Sequence, residues 1–186
     1  FGAVGALFTC FMVIPAVNFC AQKYGKKITF LMSQCVSLAG YILLWWGFSP
    51  EQPWLMFLPL PLFSFGIGGL FTIMMSMTAD ICDMDELETG ERRAGTFGAI
   101  YWLMVKIGTG LALMSAGLIM HAIGWDSNAA SQTNDALYLL RLSYIIVPSV
   151  GSMCAILVML NYDLDETKAN DIRAQLDARQ VSNIAS

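Results

Sequence analysis

The sequence predicts an all-α membrane protein, a helical bundle of about five transmembrane helices, and three observations carry that reading. Hydrophobic residues make up 56% of the 186 and charged residues only 13%, against about 25% charged in ordinary soluble domains. The apolar residues collect into five runs, each near the roughly 20 residues that a helix needs to cross a bilayer. Almost all of the charges fall between or after those runs, in short polar connectors with no room for a soluble domain.

The first run spans residues 1–21. It opens at Phe1 with no methionine and no basic region before it, which is unlike a signal peptide and reads as a chain entered in mid-protein. The connector AQKYGKK follows, with Lys23, Lys26 and Lys27. The second run, 28–48, leads into FSPEQP, which has no basic residue. The third run, 54–77, holds Gly66, Gly68 and Gly69. That GxGG has no strand before it and no phosphate-binding context, so it reads as a close-packing or hinge position. Prolines within the runs (Pro15, Pro59, Pro61, Pro148) are tolerable in membrane helices, where neighbours satisfy the freed backbone groups.

The fourth run, 97–121, contains Lys106 about nine residues from its charged boundary, some 13 Å deep at about 1.5 Å per residue. A charge at mid-bilayer costs roughly 2.5–3.5 kcal/mol on insertion scales and marks a substrate or ion pathway by default. At helical spacing, Lys106 shares a face with Ala99, Trp102, Gly110 and Gly117, which reads as a cavity lining. Gly108, Ala112 and Ala116 make a stripe of small residues that invites another helix to approach closely. Leu103, Ile107, Leu111, Met114 and Leu118 form a bulky third face, and Phe71 of the preceding run lies at similar depth to Lys106. No acid lies within any of the five runs, so a carboxylate partner for Lys106 is expected from helices outside this chain.

The fifth run, 138–161, carries Arg141 a few residues inside its edge, where the side chain can snorkel to the interface. The chain is thus divided into a membrane bundle, 1–161, and a tail, 162–186. Eight of the ten lysines and arginines fall in AQKYGKK, ETGERRAG and the tail, all at one end of the bundle. The positive-inside rule makes that end cytoplasmic, with the carboxy terminus inside and Trp45, Trp46, Trp54 and Trp125 near the outer interface.

Several function classes are disfavoured. A net charge of −4 lacks the basic patch that nucleic acid requires. The five cysteines show neither zinc spacing nor a disulfide framework, and no nucleophile–base pair or metal spacing points to an enzyme, a metal centre or a cofactor.

The connector TADICDMDELETGERRAG is the most specific segment. Asp80, Asp83 and Glu86 recur every three residues, so a short helical extension of the third run would set them on one side, with Gly90, Arg92, Arg93 and Gly95 beyond. A calcium loop counted from Asp83 fails, because Leu87 and Glu88 stand where an oxygen ligand and glycine are needed. The pattern A-D-x-x-D-x-x-E-x-x-T-G-x-R, on Ala79, Asp80, Asp83, Glu86, Thr89, Gly90 and Arg92, is followed by an apolar helix with a lysine. It resembles the glycoside–pentoside–hexuronide:cation symporter family, which includes the melibiose carrier and belongs to the major facilitator superfamily. The tail YDLDETKANDIRAQLDARQ is also similar to that family's ending, whereas Met84 stands where the family often has tyrosine.

The resemblance implies the carboxy-terminal half of a major-facilitator fold, as the last five of twelve helices. The expected activity is symport of a sugar or glycoside with sodium or a proton by alternating access, in the cell (inner) membrane. The amino-terminal helical bundle, with its acidic cation ligands, would be the missing partner. Trp102 would stack on a sugar, and Lys106 would hydrogen-bond the substrate or hold cation-site carboxylates, with Phe71 nearby. Asp80, Asp83, Glu86, Arg92 and Arg93 would form part of a cytoplasmic gate. Alternatives are a lipid or lysophospholipid carrier of a related family, and a bundle that assembles in the membrane without transporting.

Overall fold

The computed structural model describes residues 9–47, 53–125, 132–162 and 166–185, and among them it is all-helical. A π-helical turn, Thr9–Val13, leads into α1 (Ile14–Tyr24). Then come α2 (Lys26–Gly47), a 3-10 turn (Pro53–Phe57), α3 (Leu60–Thr89), α4 (Ala94–Ala122), α5 (Asn134–Leu160) and α6 (Glu166–Ala185). Helices α2 to α5 are long and apolar enough to cross a membrane. The first predicted run, 1–21, lies partly outside the described residues, and its remainder forms the π turn and α1.

Local chemistry sets the helix boundaries. Gly25, at φ 83°, is the single residue between α1 and α2, and its amide donates to Ala21 O at 3.0 Å. Pro15 sits in the first turn of α1, Pro59 caps α3 and Pro61 lies in its first turn, positions where a missing N–H costs nothing. Three of the four prolines within the predicted runs are therefore at helix starts, and of the four only Pro148 is interior to its helix. Thr133 caps α5 by accepting from Ala136 N at 3.3 Å.

Helices α2 and α3 meet along the closest seam in the bundle. A Cβ on Gly66 would collide with Ser37, one on Gly69 would lie 2.6 Å from Ser33 Cβ, and one on Gly40 would lie 2.9 Å from Leu62 Cβ. Lipid is as apolar as a leucine side chain, so helices associate here through close packing and interhelical hydrogen bonds. The seam supplies both. Ser33, Ser37 and Gln34 are buried in it, and Gln34 Nε2 donates to Gly66 O at 3.3 Å. GxGG is a packing motif, as its context requires.

A buried cluster of Val13, Val17, Phe30, Ile73, Met77 and Met159 ties the π turn and α1 to α2, α3 and α5. Helix α5 also docks on α2 through aromatic contacts. Tyr138 meets the Trp45 ring edge-on at 5.8 Å, and the Arg141 guanidinium lies 4.5 Å from the centroid of the same ring. Arg141 is thus anchored on an aromatic face rather than only reaching for the interface.

Helix α4 differs from the others. It has no buried residue, and all of its bulky face is exposed. Among the described residues, no helix packs on the stripe of Gly108, Ala112 and Ala116, which leaves it open to a helix outside them. Nothing among the described residues lies within 4 Å of a Cβ built on Gly108, while Ala112 and Ala116 line an apolar groove of about 610 Å³ beside Tyr41, Phe63, Tyr144 and Pro148.

Candidate functional site

The acidic segment is a helical extension of the third run, as the spacing of its acids predicts. α3 continues without a break through Asp80, Asp83, Asp85 and Glu86 to Thr89, and Gly90 ends it in the left-handed conformation at φ 76°, its amide donating to Glu86 O at 2.9 Å. The reason is physical: the polar residues end the apolar run, but nothing among them breaks a helix before that glycine.

Continuation of the helix places Asp80, Asp83 and Leu87 along one face, and the charged end of the bundle is assembled on it. Asp80 is 4% exposed, and its two carboxylate oxygens are held from different directions. Lys26 Nζ donates to Oδ2 at 2.5 Å from the start of α2, and Arg173 Nη2 donates to Oδ1 at 2.6 Å from α6. The same guanidinium reaches Asp83 Oδ2 through Nε at 3.3 Å. Arg179 Nη1 then donates to Leu87 O at 2.7 Å, so α6 lies along α3 for two turns.

Neighbouring contacts extend the cluster. Lys27 Nζ donates to Leu160 O and Tyr162 O, at 3.1 and 2.7 Å, closing the carbonyl end of α5 as a cation there should. The Tyr162 hydroxyl is buried without a hydrogen-bond partner among the described residues. Burial, with a smaller contribution from the Asp80 carboxylate, pushes its pKa above the ordinary tyrosine value. Arg93 pairs with Asp85, at 2.5 Å through Nη2 and 3.0 Å through Nε, and Arg92 reaches Glu86 at 3.7 Å.

The grouping of the predicted gate residues is therefore only partly as expected. Asp80 and Asp83 share Arg173, while Glu86 with Arg92, and Asp85 with Arg93, form two separate surface pairs. Sequence reading passed over Lys26, Asp85, Arg173 and Arg179 as site residues. A signal for them existed: span counting puts AQKYGKK and the tail at the same end as the acids.

Lys106 and Trp102 lie one turn apart on α4, both exposed, and Lys106 has no ion-pair or hydrogen-bond partner among the described residues. The Trp102 ring stacks edge-on against Tyr101 at 5.4 Å. Phe71, on α3, is also exposed, and no ring contact joins it to Trp102 among the described residues. The open face combines a cation, an aromatic plane and glycines without side chains, which suits hydrogen bonding and stacking toward a polyhydroxylated ligand.

The family described as MFS/sugar transport protein matches residues 1–166. The chain belongs to that family. It is 30% identical over 168 residues to an uncharacterized symporter of Synechocystis sp., covering 88% of this chain and 31% of that protein. It is 26% identical over 163 residues to the isoprimeverose transporter of Lactiplantibacillus pentosus, covering 88% and 34%. The glucuronide carrier protein homolog of Escherichia coli is 26% identical over 166 residues, covering 89% and 36%. The chain thus spans about a third of the length of these MFS/sugar transport relatives. The symporter resemblance read from the acidic segment and the lysine agrees with this membership. The family match stops at residue 166, where α6 begins.

Proposed function

We propose that the chain is the carboxy-terminal bundle of a secondary transporter that carries a sugar or glycoside together with sodium or a proton. The observation that carries the reading is Lys106, a cation without a partner among the described residues on the open face of an apolar helix, in a chain matched over residues 1–166 to MFS/sugar transport proteins. A carboxylate of an amino-terminal bundle would neutralise it across a shared cavity, and the substrate would sit between the two bundles near mid-membrane. Trp102 would stack on the sugar, with Phe71 on the adjoining wall. Asp80, Asp83, Glu86, Arg92 and Arg93 would belong to a gate at the cytoplasmic end, opening and closing as the bundles rock. The carboxy terminus would lie in the cytoplasm and the bundle in the cell (inner) membrane.

The test is uptake by the complete transporter of radiolabelled isoprimeverose and of a labelled glucuronide, the sugars named in two relatives. Lys106→Met keeps the length and removes the charge, easing helix insertion by up to about 3 kcal/mol. Cation-driven uptake should nonetheless collapse, because a cavity carboxylate is left unpaired. Lys106→Arg should rescue poorly, since a planar fork does not replace a compact ammonium. Normal cation-driven uptake by Lys106→Met at matched expression would refute the role given to this residue.

A further inference from the structure

We infer that α6 is a strap: Arg173 holds Asp80 and Asp83 on their own bundle and so withholds them from the gate. The inference rests on the gate role proposed above, and it concerns a helix that begins only where the family match ends.

The geometry is one of exclusion. Asp80 has two carboxylate oxygens, and both are engaged, Oδ2 by Lys26 and Oδ1 by Arg173. Asp83 gives an oxygen to the same guanidinium. While these contacts stand, a basic residue of an opposing bundle has no free oxygen of Asp80 to pair with in the same geometry. The two cations differ in how easily they can leave. Lys26 is the first residue of α2 and its side chain is 18% exposed, whereas the Arg173 side chain is 47% exposed on a helix outside the membrane bundle. A half-exposed pair is screened by solvent and exchanges readily. Arg173 is the releasable partner.

The rest of α6 fits a strap. The arginine-to-carbonyl bond from Arg179 continues the seam toward the end of α3, and Ala169 is the one residue of α6 that is buried among those described. Five residues separate α5 from α6, so a released strap stays at high effective concentration near its seat and rebinds. Release frees Asp80 Oδ1 and Asp83 Oδ2 together, because one fork spans both. The strap therefore acts on the gate as a single switch, favouring the state in which the cytoplasmic end is open.

Two measurements on the complete transporter test this. In detergent, where both sides are accessible, trypsin cleavage after Arg179 reports release of α6. Arg173→Gln should speed it about fivefold, since cleavage tracks the population of the open form. Arg173→Lys should fall between, because an ammonium cannot span both carboxylates as the fork does. Asp177→Asn, an exposed change elsewhere on α6, should leave the rate unchanged. In cells, Arg173→Gln should lower the apparent KM for the labelled sugar outside by about threefold, because more of the transporter faces outward. Unchanged cleavage in Arg173→Gln overturns the strap. Faster cleavage with an unchanged or higher KM leaves a docked tail that does not act on the gate, and also overturns the inference. Cleavage is read without substrate, so it stands apart from any failure of the sugar-transport reading itself.

Discussion

Lys26 Nζ and Asp80 Oδ2 lie 2.5 Å apart, joining the first residue of α2 to the far end of α3 across 54 positions of sequence. The bond closes the charged end of the bundle as the Ser33–Gly69 contact closes its middle.

Asp80→Asn should be the most destabilising single change at this end. It removes the negative charge and one of the two acceptor oxygens that Lys26 and Arg173 share, while leaving both cations in place. Breaking a buried pair from one side costs about 3–5 kcal/mol, less here because Arg173 is half-exposed. A fall in the thermal unfolding temperature in detergent would register it. Adding Lys26→Met to Asp80→Asn should recover part of the loss. Equal unfolding temperatures for Asp80→Asn and the native chain would show that the cluster adds no stability.

Gly66→Ala and Gly108→Ala should behave oppositely although both glycines sit inside apolar helices. A Cβ at Gly66 meets Ser37 and must push α2 and α3 apart, for about 1–3 kcal/mol. A Cβ at Gly108 meets nothing among the described residues and should be neutral or slightly stabilising. Ser37→Gly should partly rescue Gly66→Ala, since it removes the atoms that collide. Equal unfolding temperatures for the two alanine variants would contradict the seam.

Arg141 and Trp45 should couple. A double-mutant cycle of Arg141→Met and Trp45→Leu, followed by thermal unfolding, should return about 0.5–2 kcal/mol for the stacked cation and ring. A coupling within about 0.3 kcal/mol of zero would be indistinguishable from additivity and would reduce the contact to proximity.

Sidedness is open to a direct assay. Cysteines placed at Glu91 and at Asn134, both exposed and at opposite ends of α4 and its connector, should react with an impermeant thiol reagent only from the cytoplasmic and only from the outer side respectively. Native Cys82 is a poor reporter because it is buried. Reaction of both positions from one face would refute the alternating arrangement of spans.

Much of this fold is readable from residue type alone, and the residues that escape reading share a cause. Hydrophobic length announces α2 to α5, because a bilayer-spanning helix must be apolar along its whole run. Where the membrane ends is not where the helix ends, and α3 carries its acids twelve residues beyond the predicted boundary at 77, as far as Thr89. Spacing predicts that Asp80 and Asp83 share a face, but it holds no information about what lies against that face. Arg173 stands 93 residues away from Asp80, and only the folded chain brings it back. The two small-residue stripes make the same point. Gly66 and Gly69 find serines opposite them, while Gly108 finds no neighbour, and composition does not separate the two.

The length of α3 has a mechanical meaning. Thirty residues make a rod of about 45 Å, set across a hydrocarbon layer of roughly 30 Å, so its acidic end projects as a lever arm. The fulcrum is the glycine seam, where α2 grips the rod at Gly66 and Gly69. From Gly66 to Asp83 the arm is about 25 Å long at 1.5 Å per residue, and a tilt of about 10° at the fulcrum swings its tip by about 4 Å. That exceeds the 3.3 Å reach between Arg173 and Asp83. A small rotation deep in the membrane would thus be enough to make or break a bond at the water's edge.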